Sequence, residues 1–208
     1  MGNSSSAEPA PVTLDMIKGI QLKPIGHSVD GGTVIASSLW AEQPAIVFVV
    51  RRPGCVLCRE EAKDLCERAA EFKALGVSLT GVVHEELGAD VFAKEFFGDG
   101  LLYFDEKKAF FESLGSRWLG LKGLMYPSVI KNAQRAKGKG VEGNWEGEGR
   151  LLGGLLVVGK GDEGVLFEHR EKAFGDHASM DDILAACRKA VGKAPVENSS
   201  APPEETKA

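Results

Sequence analysis

The sequence predicts an α/β fold in which a mixed central sheet is flanked by helices. Three observations point to this fold. Short apolar runs alternate with amphipathic helical patterns, two closely spaced strand patterns and a helix close the chain, and a Cys-x-x-Cys motif stands where the strand pattern 45–50 passes into a helical pattern. A length of 208 residues suits one domain with a sizeable core.

The expected elements follow from the spacing of apolar residues and from the turn residues between them. We expect strands at 20–35 (broken by a turn at Asp30-Gly31-Gly32), 45–50, 77–83, 101–105, 153–158 and 165–168. We expect helices at 37–41, 56–75, 89–97, 107–114 and 179–191, and a helical pattern at 118–136 that Pro127 interrupts. Gly76 should end the helix 56–75, and Ser179 should cap the last helix.

The cysteine motif is the segment with the clearest chemistry. Cys55 stands at the expected helix N-terminus, where unpaired N–H groups and the helix dipole favour an anion. Positive charge around it comes from Arg51, Arg52 and Arg59. We therefore expect Cys55 to ionise more easily than a free cysteine, whose pKa is about 8.5, and Cys58 to lie close enough to form a disulfide with it.

One apolar stripe runs along the helix after the motif, at a spacing typical of a buried helix face. Its members are Cys58, Ala62, Leu65, Ala69 and Phe72. The stripe predicts that Cys58 is sheltered, whereas Cys55, at the exposed first turn, meets solvent. Cys66 is roughly 12 Å along the helix from Cys58, so it cannot reach either partner and is expected to be a core or half-buried thiol.

Two other uses of a Cys-x-x-Cys pair stay open. A zinc site needs about four ligands, but Cys66 and Cys187 stand alone and the histidines show no ligand spacing. A structural pair could simply pack as reduced thiols. A c-type haem site would need His directly after Cys58, where this sequence has Arg59.

The bulk composition points to an intracellular protein. The net charge is −5 and no basic stripe with interleaved aromatic residues occurs, which disfavours nucleic acid as a partner. No apolar run approaches the ~20 residues of a membrane span, and four cysteines without a secretory signal do not suggest a secreted disulfide scaffold. We expect disordered tails at 1–16 and 193–208 around a domain at 17–192.

The N-terminus carries a modification pattern. Met1-Gly2-Asn3-Ser4-Ser5-Ser6 fits the M-G-x-x-x-[ST] pattern for N-myristoylation of Gly2, although a Gly/Ser-rich tail can also match it by chance. A single acyl chain anchors a protein reversibly. The expectation is a cytoplasmic protein with a membrane-associated fraction.

The order of the elements narrows the fold class. Three strand–helix units are followed by inserted helices, a strand pair and a helix, with the redox-type motif at the first strand-to-helix junction. This order predicts a thioredoxin-like fold. The extra N-terminal strands and the inserted strand–helix unit after Val83 predict its larger, peroxiredoxin-type version.

Several segments resemble a known family. They are Arg51-Arg52-Pro53-Gly54-Cys55-x-x-Cys58-Arg59, Gly143-Asn144, Gly153-Gly154-Leu155-Leu156-Val157-Val158, Glu168-His169-Arg170-Glu171-Lys172 and Phe174-Gly175-Asp176. Over residues 17–192 the chain is similar to the peroxiredoxin-like 2 family of the AhpC/TSA antioxidant group, which includes prostamide/prostaglandin F synthase. The resemblance implies a thioredoxin-like fold, a redox centre at Cys55 and Cys58, and an antioxidant or endoperoxide-reducing role.

The sequence departs from ordinary peroxiredoxins at two places. In the pattern P-x-x-x-[ST]-x-x-C, Phe48 and Arg52 replace the Pro and the hydroxyl residue. The Pro that usually precedes the first hairpin strand is replaced by Gly153-Gly154. A glycine pair could let a substrate backbone or a lipid approach the thiolate closely.

These features together predict a thiol oxidoreductase that reduces a peroxide, a lipid endoperoxide of the prostaglandin H2 or prostamide type, or a disulfide. Cys55 would attack as a thiolate, and Cys58 would then resolve the product to an intramolecular disulfide. No bound cofactor is expected, since no G-x-G-x-x-G stands between a strand and a helix. The resemblance implies NADPH-dependent reduction, and we expect thioredoxin or glutathione to deliver the electrons. The alternative is a non-catalytic redox-sensing binding module, tethered to a membrane through Gly2.

Further site residues are expected around Cys55. Arg52 is close in sequence, and the closing hairpin should bring Arg170, and less firmly His169, back to the sheet edge that carries the motif. A solvated turn before a helix is the alternative for these two residues. Core or lid packing is the expected role of the three tryptophans, Trp40, Trp118 and Trp145.

Overall fold

A mixed seven-stranded sheet forms the centre of the protein. The computed structural model describes residues 9–26, 32–98, 100–120, 123 and 125–192. The strands are β1 (Gln21–Ile25), β2 (Val34–Ile35), β3 (Ala45–Val50), β4 (Ser78–Val83), β5 (Leu101–Phe104), β6 (Gly154–Val158) and β7 (Val165–Arg170). They lie in the order β2-β1-β5-β4-β3-β6-β7; β3, β4 and β5 are parallel, and every other pairing is antiparallel.

Helices cover both faces of the sheet. In the described ranges they are α1 (Leu14–Ile17), a 3-10 helix (Ala36–Leu39), α2 (Val56–Glu67), α3 (Ala69–Leu75), α4 (Ala89–Glu95), α5 (Ala109–Ser113), α6 (Pro127–Gly138) and α7 (Met180–Ala190). None of the helices within these ranges has the length and apolar character needed to cross a membrane. The predicted mixed sheet between helices is confirmed.

The central strand β3 positions the cysteine motif. All its residues are buried. Ile46 and Phe48 pack into a core that includes residues of α2 and α7, whereas Val47 and Val49 pack with Trp40 into a second core on the opposite face. Because both faces of β3 are covered, the strand is a rigid support whose carboxyl end delivers the following loop to the edge of the sheet.

Two helical expectations differ from the structure. The helix expected at 56–75 is divided at Arg68, whose backbone dihedrals are not helical, into α2 and α3. Gly76 ends α3 with a φ of 75°, as predicted for a left-handed C-cap. The helix expected from residue 118 begins instead at Pro127, because the fixed φ of proline suits a first helical position.

The segment 9–16 is ordered, although we expected it within a disordered tail. It contains the start of α1, and the buried side chain of Val12 belongs to a core. The Val12 N–H donates to the Glu168 carboxylate at 2.7 Å. Apolar burial and a satisfied N–H group explain why order begins before residue 17. The expectations that fall outside the described residues concern Gly2, Asp30, Gly31 and the tail 193–208.

Candidate active site

The cysteine motif lies where β3 passes into α2. Cys55 is the N-cap of α2, with extended backbone dihedrals, and Cys58 follows in the first turn. Both are free thiols, and 5% and 2% of their respective surfaces are exposed. The expectation that Cys55 meets solvent is therefore wrong. Both cysteines belong to the core that packs on the α2 and α7 face of the sheet.

The guanidinium of Arg51 contacts the sulfur of Cys55. Its Nη2 lies 2.6 Å from Sγ, and its Nη1 donates to the carbonyl oxygen of Gly149 at 2.7 Å. The guanidinium carbon is 4.5 Å from the centroid of the Phe174 ring. The carbonyl oxygen of Arg51 is 2.9 Å from Nε2 of His84. These contacts hold the positively charged guanidinium of Arg51 against the sulfur of Cys55.

The surroundings of Cys55 stabilise its thiolate. The hydrogen bond from the Cys58 thiol contributes most, and the charge of Arg51 and the N–H groups of Cys58 and Leu57 act in the same direction. Together they outweigh burial and hold the pKa of Cys55 well below its ordinary value. The hydrogen bond to Cys55, burial and the negative charge of Cys55 raise the pKa of Cys58 well above its ordinary value. The negative charge of the pair is therefore favoured on Cys55, and Cys58 is the thiol that donates to it.

A buried carboxyl group, that of Glu171, lies beside Arg51. It follows β7 directly, and its Oε2 is 3.8 Å from Nε of Arg51. The same oxygen accepts the N–H of Gly153 at 2.8 Å. Burial raises the pKa of Glu171, although Arg51 and the Gly153 N–H oppose this effect. Nothing in the sequence predicts a place for Glu171 in the site, because one glutamate after a strand gives no sign that it will be buried.

The segment 142–149, which we call the strap, covers the start of α2. The arginines of the motif donate to its carbonyl oxygens: Arg51 to Gly149 (2.7 Å), Arg52 to Asn144 (2.7 Å) and Glu146 (2.9 Å), and Arg59 to Glu142 (2.9 Å). Glu85, after β4, accepts the Glu148 N–H at 2.9 Å. The sequence did not predict the contacts of the strap, since its hydrogen bonds use backbone groups that every residue carries.

The strap also touches the backbone of the motif. The N–H of Asn144 donates to the Gly54 carbonyl oxygen at 2.7 Å. At Gly143 a Cβ atom would lie 2.6 Å from the backbone nitrogen of Val56, a separation that real Cβ atoms do not tolerate. A glycine is therefore required where the strap crosses the N-terminus of α2.

Neither Arg52 nor Arg170 occupies the expected place. Arg52 donates to the strap, and it is Arg51 whose guanidinium contacts Cys55. Arg170 donates to the carbonyl oxygens of Pro9 and Ala10 at 3.2 and 2.7 Å. The ordered N-terminal segment packs against β7, and its carbonyl oxygens bind the guanidinium of Arg170. The role expected for Arg170 at the sulfur is corrected accordingly.

His169 and the glycine pair also differ from the expectation. The Nε2 atom of His169 lies 2.7 Å from the carbonyl oxygen of Asp176, in the segment after β7. The space beside Gly153-Gly154 is occupied by protein, because a Cβ on Gly153 would meet the carbonyl oxygen of Val49. The glycines allow close approach between strands rather than access for a substrate.

The three tryptophans and the two other cysteines do not contact the sulfur of Cys55. Trp40 is buried, as expected for core packing, whereas Trp118 and Trp145 are exposed. Cys66 is half-buried as expected, and burial raises the pKa of Cys187 to about 12. Among the described residues, no group of three or more His, Cys, Asp or Glu side chains is arranged to hold a metal ion.

A cavity of about 240 Å³ opens beside Arg51. Its walls include the rings of Trp145 and Phe174 and the guanidinium groups of Arg52 and Arg150. It lies between the strap and the end of the sheet. A molecule with an apolar body and a polar end has complementary groups here.

Comparison with known proteins identifies the family. The AhpC/TSA antioxidant enzyme family matches residues 64–173, a range that begins after the cysteine motif. Peroxiredoxin-like 2A of Xenopus tropicalis is 43% identical over 177 residues, which cover 85% of this chain and 77% of that protein. Peroxiredoxin-like 2A of Homo sapiens is 38% identical over 182 residues, covering 88% and 78% respectively.

Solved structures with the same fold include peroxiredoxins. Peroxiredoxin Q of Xanthomonas campestris gives a TM-score of 0.59 at 14% identity, covering 89% of this chain and 99% of that one. Peroxidoxin BcpB of Mycobacterium tuberculosis gives a TM-score of 0.53 at 16% identity, covering 89% and 93%. The predicted thioredoxin-like fold of peroxiredoxin type is confirmed. The chain therefore belongs to the peroxiredoxin-like 2 family of AhpC/TSA antioxidant enzymes, and its role is that of a thiol peroxidase-like redox protein.

Proposed function

We propose that this protein reduces hydroperoxides through a dithiol/disulfide cycle of Cys55 and Cys58. The observation that carries the proposal is the 2.6 Å contact between Nη2 of Arg51 and Sγ of Cys55. A buried guanidinium against a buried sulfur stabilises the thiolate, and the thiolate is the form that attacks an O–O bond. Membership of an antioxidant enzyme family supports the same reaction class.

The cycle has three steps. The Cys55 thiolate attacks one oxygen of the hydroperoxide; a sulfur–oxygen bond forms, the O–O bond breaks, and the alkoxide leaves and takes up a proton. The Cys58 thiol then attacks the sulfenic acid, so that a disulfide forms and water leaves. An external reductant donates two electrons and two protons and restores both thiols. Arg51 provides a positive charge for the negative charge that moves from sulfur to oxygen.

The site favours a peroxide or a lipid endoperoxide over a protein disulfide. The sulfur of Cys55 is buried, so a small molecule can reach it more easily than a protein disulfide, and reduction by thioredoxin requires the site to open. The cavity beside Arg51 has room for a small molecule, with two aromatic walls for an apolar chain. Endoperoxides of the prostaglandin H2 or prostamide type fall within this class.

We propose that electrons come from outside the protein. Residues 159–164 match G-x-G-x-x-G after β6 but lead into the strand β7 instead of a helix, so a bound NADPH is not part of the proposal. Thioredoxin or glutathione would reduce the disulfide, with NADPH as the ultimate donor. Comparing the rate of disulfide reduction by thioredoxin, by glutathione and by NADPH alone identifies the donor.

A thiol titration tests the proposed cycle. One equivalent of hydroperoxide should remove two of the four thiols, and thioredoxin with its reductase should restore them with turnover. Cys55→Ser should abolish the loss, Cys58→Ser should stop at a sulfenic acid or mixed disulfide, and the control Cys66→Ser should behave as wild type. Equal thiol loss in all these proteins would refute the assignment. Relative rates with hydrogen peroxide, an alkyl hydroperoxide and a lipid endoperoxide then choose the substrate.

A redox-sensing binding module is the second candidate. The observation in its favour is that the arginines around Cys55 also hold the strap, so a disulfide would change the contacts of an exposed segment. Loss of two thiols without catalytic turnover would support the sensor. Turnover with a reductant supports the enzyme.

We propose a cytoplasmic protein with a membrane-associated fraction set by acylation of Gly2. The support is the complete N-terminal M-G-x-x-x-[ST] pattern. Mass spectrometry of the N-terminal peptide from cells measures the modification. Gly2→Ala should move the membrane-associated fraction to the soluble fraction, and an unmodified N-terminus with an unchanged distribution would refute the proposal.

A further inference from the structure

Two acidic groups lie beside one buried guanidinium in this site. Arg51 contacts the sulfur of Cys55 through Nη2 at 2.6 Å and lies 3.8 Å from the Glu171 carboxylate through Nε. The side chains of Arg51 and Glu171 are each about 5% exposed. A buried cation balances one negative charge, and a second buried anion without a counter-charge is strongly unfavourable.

We propose that Glu171 is a positioning residue that competes with Cys55 for the guanidinium of Arg51. Its carboxyl group takes up a proton when Cys55 forms the thiolate and gives the proton up when that negative charge is lost to the disulfide. This inference rests on the proposed peroxide cycle for its catalytic meaning. The competition itself follows from the buried geometry.

The other charged or titratable groups around Glu171 leave the exchange of negative charge to Glu171 and Cys55. The charged or titratable groups that face it are Arg51, Cys55, Cys58, Glu61 and Asp176, and the Arg117 guanidinium contacts its carbonyl oxygen. Burial, and then the charge of Glu171, raise the pKa of Glu61 well above its ordinary value, which favours the neutral form of Glu61. Cys58 keeps its proton because its pKa is also raised.

The negative charge of Cys55 contributes to the raised pKa of Glu171, which is the mutual dependence that such competition requires. The Gly153 N–H holds the carboxyl oxygen in place in either protonation state. Glu171 can therefore change its charge without losing its position.

The exchange balances the protons of the oxidation. One thiolate, one thiol and one hydroperoxide give one disulfide, one alcohol and one hydroxide. When Glu171 releases its proton, the hydroxide becomes water and the carboxylate becomes the partner of Arg51. The charge of the buried site is then the same before and after oxidation. Without an ionisable group at 171, each oxidation must draw one proton from solvent.

The first test is a pH titration of the Cys55 thiolate by its ultraviolet absorbance, with Cys55→Ser as the blank. Glu171→Gln keeps an oxygen for the Gly153 N–H and removes the competing charge, so the pKa of Cys55 should fall by about one pH unit, a tenfold increase in the thiolate/thiol ratio at a given pH. The matched control Glu168→Gln, which removes a charge at the same strand, should leave the pKa of Cys55 unchanged. If Glu171 merely orients Arg51, the pKa of Cys55 should rise. An unchanged or raised value overturns the proposal.

The second test counts protons during oxidation by one equivalent of hydroperoxide. In weakly buffered solution, at a pH where Cys55 is ionised, the wild type should take up no proton, and Glu171→Gln should take up one per disulfide. Glu171→Asp should restore the wild-type count. Uptake of one proton by the wild type overturns the proposal even if the Gln variant does not fold. If hydroperoxide oxidises no thiol, the proposed peroxide cycle is refuted. The pH titration of Cys55 then tests by itself whether Glu171 competes with Cys55 for Arg51.

Discussion

Arg51 Nη2 lies 2.6 Å from Cys55 Sγ, so the residue directly after β3 places a positive charge beside the sulfur at the N-cap of α2. The turn between them brings the two side chains together. If either side chain moved away, the other would stay buried without its partner. Gly149 and Phe174 hold the guanidinium from the remaining sides. The site is therefore built before any substrate arrives.

Replacing Arg51 should weaken the nucleophile. In Arg51→Gln the pKa of Cys55 should rise by at least one pH unit, and its second-order rate with hydroperoxide at neutral pH should fall about tenfold or more. Arg51→Lys should recover part of the rate, because an ammonium keeps the charge without the planar fork. Arg68→Gln, which removes a half-buried arginine at the C-cap of α2, is the control. Stopped-flow kinetics across a pH series measures both quantities, and equal rates in all four proteins would contradict the role of Arg51.

The Cys58 thiol should stabilise the Cys55 thiolate by donating to it. Cys58→Ala removes the donor and should raise the pKa of Cys55, whereas Cys58→Ser keeps a hydroxyl donor and should raise it less. Alkylation of Cys55 against pH, followed by peptide mass spectrometry, gives the two values. Identical profiles for the Ala and Ser variants would show that Cys58 does not act as a donor.

The strap should control access to Cys55. Gly143→Ala places a Cβ against the backbone of Val56 and should push the strap away from α2. A bulky maleimide should then react with Cys55 several-fold faster, and amide hydrogen exchange over 142–149 should increase. Gly138→Ala, at a position with open space around the added Cβ, is the matched control. Unchanged exchange and labelling in Gly143→Ala would mean that the strap does not limit access.

His177 should make stability fall in mild acid. Burial, and then the charge of Arg135, lower the pKa of His177 to about 4. Between pH 6.5 and 4 the unfolded chain binds a proton that the folded protein excludes, so the free energy of unfolding decreases as the pH falls, by up to about 3 kcal/mol. His177→Gln should lose less stability over this range. Urea unfolding at several pH values measures the slope, with His169→Gln as control. Parallel slopes for His177→Gln and wild type would be inconsistent with a buried neutral His177.

Patterns of neighbouring residues were sufficient to predict most of the strands and helices. The run 45–50 is a strand because six consecutive apolar residues suit a position buried on both faces, and Gly76 ends a helix because it tolerates a positive φ. The cysteines lie at a helix N-terminus as predicted, since that placement depends on neighbouring residues alone. The helix start at Pro127 was missed because periodicity does not locate an end.

The cysteine pair and its place after a buried strand were determined by the sequence itself, because both depend on residues close together in the chain. Tertiary structure decided which arginine contacts the sulfur, that Glu171 is buried beside that arginine, and that the strap crosses the N-terminus of α2. These contacts join segments far apart in sequence through backbone groups and close packing. A neighbouring arginine in the sequence, Arg52, has the same chemistry as Arg51, and the difference between them is the direction in which the folded backbone points each side chain.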